Sequence, residues 1–204
     1  MYSMPKYNEL RKQFGNFASW AIWDKNKEYD TEIIDKNIKI LHSNFVFVGL
    51  NPSKNLRKVK WSNFRGGKHD RKLKYACEID CLRGSYLTDL FKNFTKKSSS
   101  ELKKEIDKKN KNFIKKVFKD FQSELDKICF NPQKGKIILL GDTVQKFFKK
   151  HFKLNDNDPL KKCILNYKHY GCWGTDKDWV EGLWDKLVIK YKVNSFENIK
   201  KLYK

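Results

Sequence analysis

The sequence predicts an α/β fold, one parallel sheet with helices on both faces. Three observations predict it. Apolar runs at 45–50, 85–91, 136–142 and 162–171 are separated by helical segments, the alternation that builds a parallel sheet. The first run, FVFVGL, is apolar at successive positions, as a central strand buried on both faces must be. Each run then stops on polar side chains: Asn51, Pro52 and Ser53; Thr88 and Asp89; Asp142 after Gly141; His169 and Tyr170.

The 204 residues suit one domain, with an N-terminal helical extension over about 1–44. Leu10, Phe14, Phe17 and Ala21 recur at helical spacing over 5–25, and Trp20 and Trp23 widen that apolar face. Residues 28–44 are mixed and polar and read as a short helix or a loop. Residues 51–70 form a long polar loop bearing glycines; loops of that length in a compact domain are usually functional or disordered. Residues 71–79 read as helix, and SYLTDLF as the second strand. Ser98 to Ser100 can cap a long charged helix over about 101–128, with Ile114, Val117, Phe118, Phe121, Leu125 and Ile128 on its apolar stripe. KIILLGD is the third strand, and the helix after it packs Val144, Phe147, Phe148 and Phe152 inward. KCILNYKHYG is the fourth strand, ending at His169. Thr175 or Asp176 caps a last major helix with Val180, Leu183, Trp184 and Leu187 on one side.

The formal net charge is +21, a field that attracts polyanions, nucleic acid first and an anionic membrane surface second. Forty Lys against five Arg also fits an AT-rich coding sequence, and Arg is the better residue for forked phosphate recognition. The start, MYSMPKYNEL, has no apolar signal core, and no run approaches membrane-spanning length. A cytoplasmic, reduced protein is expected, with five free cysteines. Cys77 and Cys81 are one helical turn apart, but His69 is the only histidine near them, so buried thiols are expected rather than a metal site.

In an open parallel sheet, ligands bind beyond the carboxyl ends of the strands. The polar strand ends therefore outline a site. Taken singly, each has a plainer reading: Asn51 as a turn residue, Asp89 and Asp142 as helix caps, His169 as a satisfied surface histidine.

Taken together, the motifs resemble the uracil-DNA glycosylase superfamily. GLNPS, 49–53, is similar to the first motif of the mismatch-specific branch, Gly-Ile-Asn-Pro-Gly. SYLTDLFK resembles its second strand, Tyr-Ile-Thr-Asn-x-x-Lys, and IILLGDTVQKFF its Leu-Gly-x-x-Ala passage. KHYG falls where the second catalytic motif begins with histidine. NFRGGKHDRKLKYA resembles relatives with Asn-Phe-His and Asp-x-Lys-Leu patterns. The resemblance spans about 45–175 and implies a three-layer α/β/α sandwich around a four-stranded parallel sheet.

It also implies hydrolysis of the N-glycosidic bond of a base flipped out of DNA. The DNA is single- or double-stranded, the protein is expected to be monomeric, and no cofactor, metal or iron–sulfur cluster is expected. On this reading Asn51 positions water through its amide carbonyl. His169 donates to the base carbonyl as charge develops there, and Phe64 stacks on the base. A core aromatic is the rival for Phe64, against which the polar loop argues. Gly49 and Pro52 shape the pocket. Ser53, Lys54, Arg57, Lys58, Lys92 and Tyr170 contact DNA, although a generic lysine-rich surface explains Lys54 and Lys58 equally well.

Three positions depart from the family. Ser53 replaces glycine, Tyr170 replaces proline, and Asp89 stands where the uracil enzymes carry Asn. An ionised carboxylate only accepts hydrogen bonds. It repels the exocyclic carbonyl of uracil and favours an amino group, so cytosine or a modified cytosine becomes credible, with adenine left open; a protonated Asp89 restores one donor. Two alternatives remain: a non-catalytic nucleic-acid-binding module on the same fold, and an enzyme acting on free nucleosides or nucleotides.

Overall fold

The computed structural model describes residues 2–27, 29–52, 59–67, 69–92, 94–95, 99–109, 111–152, 154–192 and 194–203. Among them the fold is α/β, built on one five-stranded mixed sheet. The strands are β1 (Ser19–Trp20), β2 (Phe45–Gly49), β3 (Tyr86–Asp89), β4 (Lys136–Leu140) and β5 (Ile164–Tyr167), in the order β1-β3-β2-β4-β5. The pairs β2–β3, β2–β4 and β4–β5 are parallel, and β1 lies antiparallel to β3.

The antiparallel edge corrects the expectation of four parallel strands. It arises where the spacing predicts a helix over 5–25. Helix α1 (Met4–Phe14) ends at Gly15, where a side chain would run into the Arg11 carbonyl. The chain turns on the Phe14 carbonyl, which accepts from Phe17 and Ala18. Ser19 and Trp20 then pair with Leu87 and Tyr86. Trp20 packs edge-on to Tyr86, Trp61 and Tyr2. Apolar residues at helical spacing are thus buried by a sheet edge, where tertiary packing overrides local pattern.

The remaining helices are α2 (Glu32–Lys36), α3 (Asp70–Ala76), α4 (Ser99–Asp107), α5 (Lys111–Lys127), α6 (Asp142–His151), α7 (Pro159–Cys163), α8 (Asp176–Lys186) and α9 (Ser195–Lys201). The long charged helix expected over 101–128 is two helices, α4 and α5; Ser98, one of its expected caps, lies outside the described residues. α5 buries Ile114, Phe118, Phe121 and Leu125. The fourth strand ends at Tyr167, with α7 preceding it, so His169 sits in the loop beyond. Thr175 caps α8 by accepting from the Asp178 N–H. Cys77 is buried, but Cys81 is exposed.

Alternation along the strands sorts the core into two clusters. Val46, Val48, Tyr86, Ile137 and Leu139 join α1, α4, α5 and α6 residues in one. Phe47, Leu87, Ile138 and Leu140 join α3, α8 and α9 residues in the other. Each large apolar side chain so buried contributes roughly 1.5–3 kcal/mol.

The chain leaves β2 toward α3 on one face and leaves β4 toward α6 on the other. The strand order therefore reverses between β2 and β4, which sets the topological switch point, where ligands of such sheets bind, beyond their carboxyl ends.

Candidate functional site at the carboxyl ends of the strands

The long polar loop, whose composition argued against a buried Phe64, is packed inside where it is described. Trp61, Asn63, Phe64 and Arg65 are all buried. Trp61 and Phe64 hold positive φ, 63° and 58°, a conformation that costs non-glycine residues about 1–3 kcal/mol each. Arg65 holds the loop in place: its guanidinium donates to the carbonyls of Trp61 at 3.2 Å, Asp30 at 3.0 Å, Trp20 at 3.4 Å and Ile22. Burial pulls its pKa down to about 10, still far above neutrality, so it stays charged.

This loop brings Phe64 to the end of β2. A Cβ at Gly49 would collide with Asp89 Oδ1 and lie 3.4 Å from Phe64 Cζ. Gly49 is therefore required by close approach, not by backbone angle. Asp89, directly across the ladder from Gly49, accepts from Asn63 Nδ2 at 2.8 Å through Oδ2. Asp89 is 3% exposed. Burial pushes its pKa up to about 6; Asp70 and Glu124 push the same way, and Asn63 and Lys92 oppose them.

The other wall is the loop after β5. His169 lies against Gly141, whose Cβ position is 3.1 Å from the His169 Cβ and 3.5 Å from the ring. Gly141 is the N-cap of α6 and has φ 101°, so the imidazole faces the positive end of a helix dipole. The Gly171 N–H donates to His169 Nδ1 at 2.9 Å. A nitrogen that accepts cannot carry the proton, so the neutral ring bears it on Nε2. Desolvation first, and His69 second, hold the His169 pKa below the ordinary value. At neutral pH His169 is thus an uncharged Nε2–H donor.

Tyr170 joins the two walls. Its ring stacks on His169 at 4.3 Å and meets Phe64 edge-on at 6.4 Å. Burial, then the charges of Asp70 and Asp89, raise its hydroxyl pKa well above the usual range. Tyr170, expected as a DNA contact, is half-buried and packs against the core cluster. Packing contacts therefore run from Asp89 through Gly49, Phe64, Tyr170 and His169 to Gly141.

Asn51 stands two residues beyond Gly49. Its Nδ2 donates to the carbonyls of Pro52 at 2.9 Å and Phe94 at 3.0 Å, which fixes the amide and turns Oδ1 away from them. Pro52 beside it is buried. Lys92 does not extend to solvent as a phosphate contact would. Its ammonium pairs with Glu124 at 2.6 Å and donates to the Asp89 carbonyl at 2.9 Å. Glu124 also accepts from Tyr86 and Thr88. Ser53, Lys54, Arg57 and Lys58 lie outside the described residues.

Several site residues carry no signal in the sequence strong enough to single them out. Asn63 acts through a contact made across 26 positions, although its place before Phe64 is visible. His69 lies beside Gly171, as His169 does. Trp173 is 99% exposed, on a loop that is held firmly: Lys72 Nζ donates to the carbonyls on either side, Cys172 at 3.0 Å and Gly174 at 3.1 Å. Arg71 ties the following helix to α3 through Asp176 at 2.6 Å. An aromatic between glycines in a loop after a strand is the available signal for Trp173. Comparison with protein-family models returned no match, and neither did comparison with curated proteins.

Proposed function

We propose that the protein is a DNA glycosylase-like enzyme that hydrolyses the N-glycosidic bond of a flipped, damaged or modified base. The observation that carries this reading is His169. It is a neutral imidazole with its proton on Nε2, joined through Tyr170 and Phe64 to the buried Asp89 beyond the carboxyl ends of β3, β2 and β4. The helices on both faces of the sheet support the three-layer α/β/α sandwich that the resemblance implies.

In the proposed reaction the C1′–N bond breaks and its electron pair leaves with the base. His169 Nε2–H donates to the base carbonyl as that charge develops, where a preformed donor is most effective. Asn51 positions the water that adds to C1′, and the proton that this water loses neutralises the departing base. Phe64 stacks on the base and Asp89 reads its edge. Trp173, exposed on its tethered loop, stacks on or wedges into the DNA beside the extruded nucleotide. The enzyme works as a cytoplasmic monomer without a cofactor.

The test is a screen of oligonucleotides carrying uracil, deaminated purines and modified cytosines, with mass spectrometry of released bases. The expected result is release from at least one, reduced about 10²–10³-fold in His169→Ala and Asn51→Ala. Full release in both variants removes the proposed site. A second reading, a non-catalytic nucleic-acid-binding module, is favoured by Trp173 and the lysine surface, since neither needs chemistry. It gives salt-dependent DNA binding without base release, unchanged in Asn51→Ala.

A further inference from the structure

Asp89 does more than present a carboxylate, because Asn63 controls where its proton can sit. The Asn63 amide is oriented from two sides: Oδ1 accepts the Phe64 N–H at 3.0 Å, and Nδ2 donates to the Phe17 carbonyl at 2.6 Å. Reversing the amide would set its oxygen against the Phe17 carbonyl and its NH2 against the Phe64 N–H. The Nδ2 that meets Asp89 Oδ2 is therefore always a donor, and Oδ2 is always an acceptor. The oxygen that keeps its carbonyl character is the better acceptor for Asn63, so a proton on Asp89 is favoured on Oδ1. That oxygen faces Gly49 beside the Phe64 ring, and takes no hydrogen bond among the described residues.

We propose that Asp89 Oδ1 is a base-edge reader that switches sense with its own protonation. Neutral, it donates and selects a base with an exocyclic carbonyl, such as uracil; ionised, it accepts and selects an exocyclic amino group, as on cytosine. This rests on the proposed base pocket and names its substrate class as pyrimidines distinguished at that one edge. The charged and polar groups around Asp89 are Asn63 from its loop, Lys92 after β3, Asp70 from α3, Glu124 from α5 and the Tyr170 hydroxyl. With burial they place the change near pH 6, so both senses are populated close to neutrality.

The test measures binding, not turnover. Duplexes carrying 2′-fluorinated deoxyuridine or deoxycytidine, which resist cleavage, are titrated into the protein between pH 5.5 and 8, with an unmodified duplex as control. The ratio Kd(uracil)/Kd(cytosine) is expected to rise by at least about tenfold across the range, as the neutral fraction of Asp89 falls about tenfold per pH unit above its midpoint. His169 meets a carbonyl common to both bases, so its titration cancels in the ratio. Asp89→Asn keeps an acceptor for Asn63 and turns NH2 toward Gly49; its ratio is expected to be flat and to favour uracil throughout.

A flat wild-type ratio, an equal slope in Asp89→Asn, or binding no tighter than the control overturns the switch. Base release from cleavable duplexes is measured in parallel. Release with a flat ratio removes the switch and leaves the glycosylase reading; a sloping ratio without release does the reverse.

Discussion

Asp89 is an acid in a place that resists charge, and its cost to the fold depends on pH. Its folded pKa of about 6 lies above the ordinary carboxylate value of 3.8. The folded state therefore holds the proton more tightly. Stability from this group is fully present below 3.8, falls as pH rises to about 6, and stays low above that. Asp89→Asn removes the charge, and is expected to raise Tm at pH 7.5, by the equivalent of about 1–3 kcal/mol, with little change at pH 4. Thermal melts at the two pH values check this. His169 has the opposite sign, its pKa lying below 6.5, and its protonation would break the bond from the Gly171 N–H. Base release by Asp89→Asn, which isolates His169, is expected to fall only on the acid side of 6.5; a limb above it would contradict a lowered pKa. Of these residues, Asp89 and His169 were legible as polar strand ends. Asn63 was not, since its orientation depends on Phe17 and Phe64 together.

Two elements hold the site, and they fail differently when cut. The loop over 59–67 is held by a buried cation bonded to four carbonyls. Arg65→Met takes the guanidinium from all four; Trp61 keeps the Ser19 hydroxyl and Trp20 the Ile22 N–H, so the cost falls on the Asp30 and Ile22 carbonyls, at about 1–3 kcal/mol for each left dry. A destabilisation of at least about 2 kcal/mol is expected in denaturant unfolding, with Phe64 displaced. The loop after β5 carries Trp173 with its ring in solvent. Trp173→Ala is expected to leave stability within about 0.5 kcal/mol, yet weaken DNA binding by about 1–3 kcal/mol, the value of one stacked base. Fluorescence anisotropy with a labelled oligonucleotide measures it. The length of the loop over 51–70 read as functional or disordered, and the buried packing of residues 59–67 was not legible. Polar composition suggested solvent, whereas Arg65 and Asn63 satisfy backbone and side-chain groups inside.

At the scale of the molecule, lysines carry the surface field. The described arginines serve structure: Arg11 pairs with Asp35, Arg65 is buried, Arg71 pairs with Asp176 and Arg83 with Glu78. DNA affinity is therefore expected to be strongly salt-dependent and weakly sequence-dependent outside the flipped base. A log–log plot of affinity against salt should fall steeply. Each Lys-to-Gln substitution that frees one phosphate should make that slope shallower by about one. Among the described residues, no helix is long and apolar enough to cross a membrane.

The sequence by itself determined the central strands, the helices between them and the polar ends at the carboxyl edge of the sheet. Those features are local: an apolar run bounded by glycine and polar residues finds a buried strand in any compact fold of this class. Tertiary structure decided the rest. Trp20 became a sheet edge because Tyr86 and Leu87 offered unpaired backbone. Lys92 turned inward because Glu124 was buried beneath it. Asp89 Oδ2 gained a fixed donor because distant Phe17 and neighbouring Phe64 together oriented the Asn63 amide.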